Sequence, residues 1–441
     1  MTTSRPSSPP LGSPEERHGE PGVSVSTAPL SATLPSQRKG RPRWYWPALL
    51  TGSLLVLATV RVVTGANDLI SSGAIAAAIG LAVPLALAGL GGLWSERAGV
   101  VNIGLEGMMI LGTWGAGFFG FHYGPWAGLL GAAAMGLLGG AVHAVATVVF
   151  GVDHIVSGVA LNLLGAGTGA YLAARTFSDL PGGGPTQSPT LTRLPNLSLP
   201  WVGEPLAALE KTGTWLVADL AGILHAATTN VNALTLIAAG LLVLTWWVLW
   251  RTPFGLRVRS VGEAPYAAAT LGVGVRRLKV TAVLLSGALA GMAGGFLVLV
   301  ASNIYRDGQT GGRGYIGLAA MIFGNWRPGG LAAGAMLFGY TDAIRLRGGG
   351  DVIRAFLLPL GLLLLAWGIY QLVRRGKRIA GLVQIAVAVL ALVWFSLVDA
   401  VPDEFTGMTP YLATLLVLAL ASQRLRMPAA DGAIYRKGEA S

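Results

Sequence analysis

The sequence predicts an all-α polytopic membrane protein with about ten full transmembrane helices and one broken or re-entrant helix pair. Three observations predict it. Of the 441 residues 53% are apolar and only 12% charged, with mean hydropathy +0.61, about half the charge of an ordinary soluble domain. Apolar runs long enough to cross a core of roughly 30 Å recur along the chain. Glycine is 64 of 441 residues without a collagen-like period, a composition that suits close helix packing in lipid.

Residues 1–43 stand apart. They hold eight Pro and eight Ser and end in Arg38, Lys39, Arg41 and Arg43. Such a stretch buries too little apolar surface to offset its ordering entropy, so it reads as a disordered, basic tail. It lacks the short apolar core and small-residue cleavage site of a signal peptide. The apolar runs then fall near 45–64, 69–93, 100–121, 125–150, 154–176, 232–250, 280–302, 355–372, 379–399 and 408–423. Between 314 and 344 two shorter runs, 314–324 and 329–344, are split by Asn325-Trp326-Arg327-Pro328-Gly329. Eleven helical residues rise only about 16 Å, half a bilayer, so this pair reads as broken.

Charge gives the orientation. With both ends inside and the broken pair counted as two passes, 22 Lys and Arg lie inside and 7 outside. That split obeys the positive-inside rule. A single pass at 314–344 would put Arg374, Arg375, Lys377 and Arg378 outside. The formal charge of +11 is therefore topology, and no nucleic-acid partner is expected. The long loop 177–231 falls outside. The basic loop 251–279 and the C-terminal tail 427–441 fall inside, and 44–426 make up the membrane domain.

No phosphate-binding Gly-x-x-x-x-Gly-Lys-Ser/Thr loop, His-Glu-x-x-His pair or Gly-x-Ser-x-Gly elbow occurs, and the five histidines are scattered. With no cysteine there is no disulfide, thiolate metal site or cysteine nucleophile. No catalytic residue, bound cofactor or metal is expected, and if the chain carries out active transport the energy must come from another chain or an ion gradient.

Candidate residues remain. Asn102 and Glu106 are four apart and are expected to share a helix face. A carboxylate inside a membrane segment is costly and points to function, although bonding to a neighbouring helix is an equal reading. Asn162 divides in the same way between a polar route and an interhelical bond. Gly287, Gly291 and Gly295 make a small-residue stripe for helix packing, with the helix at 154–176 (Gly165, Gly169) expected as its neighbour. After Pro265 a run of small residues ends at Gly272, the pattern of a short helix with a glycine stop. It reads either as a docking knob for a soluble partner or as an ordinary interfacial loop.

Four phrases carry a resemblance: Ser95 to Gly107, Thr252 to Gly262, Gly312 to Gly324, and the tail Arg424 to Glu439. Over roughly 70–425 the chain resembles permease subunits of ABC importers of the branched-chain amino acid/ribose-type family, in the branch assigned to nucleosides or simple sugars. The resemblance implies a bacterial plasma-membrane subunit with both termini cytoplasmic. Its implied partners are a second permease, a cytoplasmic ATPase that uses the ATP, and an extracytoplasmic binding protein. It also implies that Gly262, Glu263, Ala264 and Gly272 dock the ATPase, and that Asn102, Glu106 and the phrase through Asn325 line the path. The tail 1–43 and a helical hairpin at 355–399 depart from the pattern. A simple-sugar permease is the alternative substrate reading. An ion-coupled secondary transporter is the competing class, disfavoured because only one broken pair is found where two are expected.

Overall fold

The computed structural model describes residues 45–409 apart from Gly348 and Lys377, together with Leu412, Leu415, 425–436 and Gly438. The chain divides at Leu50 into two units. The first is described only for 45–50, the opening residues of the first helix, and everything below concerns the second. The expected tail 1–43 and most of the expected span 408–423 lie outside the described residues.

Helix α1 (Tyr45–Thr64) is followed by α2 (Ser72–Arg97), 26 residues long. Ser71 caps α2, its Oγ accepting the Ala74 N–H at 3.1 Å. Residues 98–104 are irregular, so α3 (Leu105–Tyr123) starts five residues later than the apolar run at 100–121 suggests. Gly124 at φ +88° turns the chain into α4 (Pro125–Ala144), with proline at the first helical position. In α5 (His154–Phe177) Asp153 caps the start, accepting the Ile155 and Val156 N–H groups at 2.9 Å. The excursion 178–232 holds β1 (Asn196–Leu197), α6 (Gly203–Lys211), α7 (Val217–Thr228) and β2 (Val231–Asn232), the strands pairing antiparallel. Next come α8 (Ala233–Arg251), α9 (Pro253–Glu263), α10 (Pro265–Thr270) and α11 (Val275–Phe296). The broken pair is α12 (Arg313–Phe323) and α13 (Pro328–Leu346), and α14 (Gly350–Arg374), α15 (Arg378–Leu397) and the short α16 (Asp403–Thr406) complete the order.

Among the described residues seven helical stretches are long and apolar enough to cross a membrane: 67–97, 125–149, 154–177, 233–251, 275–302, 350–374 and 378–397. The sequence expectation is about ten. The part of α1 in the second unit, 51–64, is short, the run at 408–423 is largely undescribed, and α3 is diluted by five glycines and Glu106. Composition relaxes in α3 because its surroundings are protein: it packs on α4, α5, α11 and α12, and most of it is buried.

Glycine sets the core. The Gly287–Gly291 stripe of α11 meets α4, whose Gly136 and Gly140 lie so close that a Cβ at either α11 position would strike backbone. The partner is therefore α4 rather than the α5 helix expected from sequence; α5 instead sets Gly165 against Gly107 of α3. Both halves of the broken pair rest on α2, Gly317 against Leu85 and Gly89, and Gly339 against Ala78 and Ala82. The most apolar stretch of α11 is largely buried, whereas that of α15 is largely exposed. α14 and α15 form a hairpin that packs on itself, Gly361 against Leu392 and Gly368 against Gly381.

Candidate functional site

The centre of interest is where two helices begin inside the bundle. Tyr305 sits beside Gly117 of α3 and Phe177 at the end of α5. By Gly312 the chain has reached Glu106, eleven residues back along α3, a distance of roughly 16 Å. α12 therefore starts deep within the bundle. Its first N–H groups have no intrahelical acceptor, and Glu106 supplies one from another helix. Oε1 accepts the Gly312 N–H at 2.9 Å and Oε2 the Gly314 N–H at 2.7 Å. The carboxylate is buried, and the partial positive charge of the α12 N-terminus favours it there.

The start of α3 is held in turn by Asn162. Its Oδ1 accepts the Gly107 N–H at 2.7 Å, and its Nδ2 donates to the Ile103 carbonyl at 3.0 Å and to Tyr315 Oη at 2.8 Å. Tyr315 is on α12, so one amide links α3, α5 and α12. Asn102 precedes α3 and does not share a helix face with Glu106; the expected i, i+4 pairing gives way to the irregular 98–104 loop. It is fully buried against α11, its Nδ2 donating to Ser286 Oγ at 2.8 Å. The same loop is gripped by two histidines: the Val101 N–H donates to His154 Nδ1 at 3.3 Å, and its carbonyl accepts from His143 Nε2 at 3.1 Å.

Beside α12 lies a cavity of about 460 Å³ lined by Leu81, Tyr315, Ile316 and Phe338 together with Arg313, Asp342 and Arg345. Arg345 grips Asp342 at 2.8 and 3.0 Å, and Arg313 stands 3.9 Å from it. The chamber thus offers an aromatic face and both signs of charge. Asp342 was a signal open to reading, a carboxylate in the run 329–344, and the sequence reading passed over it.

Asn325 is not part of this group. It occupies the α12–α13 turn at φ +55°, and its Oδ1 accepts the Arg426 N–H at 2.7 Å. Trp326 beside it donates Nε1–H to Glu96 at 2.6 Å, and its carbonyl receives the Arg97 guanidinium at 2.7 and 3.0 Å. The residues expected to dock an ATPase lie at this same end. α10 and the positive φ of Gly272 (+80°) match the expected proline start and glycine stop, and Leu271 between them is 84% exposed. The helical α9, capped by Thr252, is an addition to that reading. Gly262 is needed for close approach to the Arg97 carbonyl, Ala264 makes the break between α9 and α10, and Glu263 accepts the Ala429 N–H at 3.2 Å.

A glycine-packed bundle of membrane helices around a broken helix defines a multi-pass membrane protein with a polar interior site. The chain belongs to the family described as branched-chain amino acid transport system / permease component, which matches residues 74–368. It is 31% identical over 365 residues to the guanosine ABC transporter permease protein NupQ of Bacillus subtilis, covering 81% of this chain and 94% of that one. It is 32% identical over 367 residues to the nucleoside ABC transporter permease protein NupC of Lactococcus lactis, with the same coverage. It is 36% identical over 278 residues to the putative glucose ABC transporter permease protein TsgC13 of Haloferax volcanii, covering 63% and 78%. No solved structure matches the chain significantly.

Proposed function

We propose that this chain is the membrane-spanning permease subunit of an ATP-binding-cassette importer for nucleosides or related ribosides. The observation that carries the reading is similarity along nearly the full length of a guanosine and a nucleoside permease. The cavity beside α12 suits such a cargo: Tyr315 and Phe338 offer ring faces for a base, and Arg313 and Asp342 offer donors and acceptors for hydroxyls. The glucose relative favours a second reading, a simple-sugar permease, and the ribose hydroxyls of a nucleoside share that chemistry.

The chain is a transport subunit, not an enzyme. A separate cytoplasmic ATPase hydrolyses the ATP and docks at α10, and an extracytoplasmic protein delivers the substrate at the α6–α7 end. A second permease completes the path across the exposed side of α5, where Val156, Val159, Leu163 and Tyr171 are bare. Both termini lie in the cytoplasm of a bacterial cell, as the 22-to-7 charge split directs. The test is uptake of labelled guanosine and labelled glucose by cells with and without this chain. Loss of guanosine uptake alone supports the nucleoside reading; loss of glucose uptake alone replaces it with the sugar reading.

A further inference from the structure

We propose that residues 427–436 form a coupling strap that carries movement of the α9–α10 docking loop to the 98–104 loop and so to the Glu106–α12 contact. The inference rests on the importer reading above.

The strap is stitched to the docking loop on one side. The Ala430 N–H donates to the Gly262 carbonyl at 2.9 Å, and the Ala429 N–H to Glu263 at 3.2 Å. Tyr435 lies 5.2 Å from the Tyr266 ring on α10 and packs beside Val261, Ala268 and Val275. On its other side it meets the path. The Ala430 carbonyl comes so near Gly99 that an added Cβ there would stand 3.0 Å from it, and Gly432 faces Val101. Lys279 of α11 joins the two, its buried ammonium donating to the Gly99 carbonyl at 3.1 Å and the Ala433 carbonyl at 3.2 Å.

What the strap touches decides what it can move. Gly99 and Val101 are five to seven residues before Glu106, and the loop between them bonds to Ser286, His143, His154 and Asn162. A displacement of α10 would therefore reach the start of α3, and with it the carboxylate that caps α12. Hydrogen bonds fix register in a way that apolar contact does not, so a shift on one side is passed to the other. The sequence places 427–441 only as a cytoplasmic C-terminal tail; nothing in its composition signals these backbone bonds.

Two variants test it in the reconstituted importer: deletion of 427–441, and full-length Ala430→Pro, which loses the bond to Gly262. Each should keep basal ATPase activity, lose at least tenfold in ATPase stimulation by loaded binding protein, and lose uptake in proportion. Amide hydrogen exchange in the permease alone gives a readout independent of substrate. Both variants should speed exchange at 98–104 while leaving 129–140 of α4 unchanged. Wild-type stimulation together with wild-type exchange at 98–104 overturns the strap. If the wild-type complex itself shows no stimulation by nucleoside-loaded binding protein, the nucleoside reading fails, and exchange still decides the strap.

Discussion

Glu96 and Glu106 stand ten residues apart, both buried at the ends of membrane helices, and the fold accommodates them in opposite ways. Glu106 faces donors only: its two oxygens accept two backbone N–H groups at the start of α12. Glu96 faces one donor, Trp326 Nε1–H, and lies close to a second acid, Asp431 of the strap. Two buried acids side by side resist carrying charge together. A buried acid can thus be met by the donors of a helix N-terminus or set beside a second acid. The first arrangement depends on charge and is rigid, whereas the second depends on pH.

The largest effect should come from removing the charged acid. Glu106→Ala leaves the Gly312 and Gly314 N–H groups buried without an acceptor, at about 1–3 kcal/mol each. Folded yield in detergent should fall sharply, and uptake at least tenfold. Glu106→Gln keeps one acceptor but turns an amide N–H₂ toward the other N–H. It should lose uptake more than abundance, measured side by side in the same membranes. Equal losses in both would make the contact purely architectural.

The intermediate effect concerns Asp431. Burial pushes Asp431 up to about 7, although Lys279 and Arg97 nearby pull the other way. With the strap released, the same group gives up its proton near 4. Between these values the docked state binds more protons, so docking weakens as pH rises from about 4 to 7 and is level above about 8. Protection of the Ala430 and Ala433 amides, corrected for intrinsic exchange, should follow that course. Asp431→Asn should flatten it. Glu96→Gln should leave the decline in place, because burial rather than Glu96 raises Asp431. Abundance should stay near wild type, which sets it apart from Glu106→Gln. A decline that persists in Asp431→Asn would assign the titration to another group.

How much of this was legible follows from the kind of interaction. Apolar runs and the split at Asn325–Gly329 gave the helix order because lipid imposes length and composition. Glu106 stood out because a lone acid in an apolar run is conspicuous. The start of α3 at Leu105 was not legible, since 98–104 is held by side chains from α4, α5 and α11 that local sequence cannot name. Asn102 and Asn325 were grouped with Glu106 by spacing and by family likeness. Tertiary contacts bury Asn102 against Ser286 and place Asn325 beside the strap. The glycine stripe of α11 declared close packing but not its partner, because glycine stripes on α4 and α5 look alike. Glu96 was visible in the same phrase as Glu106, but its acid partner lies 335 residues away in the sequence.

The smallest effect should come from a third carboxylate, which marks the exposed end of the series. Glu263 makes the same kind of bond as Glu106, accepting the Ala429 N–H, yet its side chain is 53% exposed and Arg97 stands 3.9 Å away. Water can replace either partner, so the bond contributes only about 0.5 kcal/mol. Glu263→Gln should leave abundance and thermal midpoint near wild type, because the amide oxygen still accepts from Ala429. Glu263→Arg removes the acceptor and sets a cation beside Arg97. It should loosen the strap, and its ATPase stimulation should fall severalfold while basal activity holds. The measurement is stimulated over basal ATPase rate for the two variants in parallel. If Gln at 263 proves as damaging as Gln at 106, exposure does not grade these carboxylates, and the contrast between the two buried acids must have another cause.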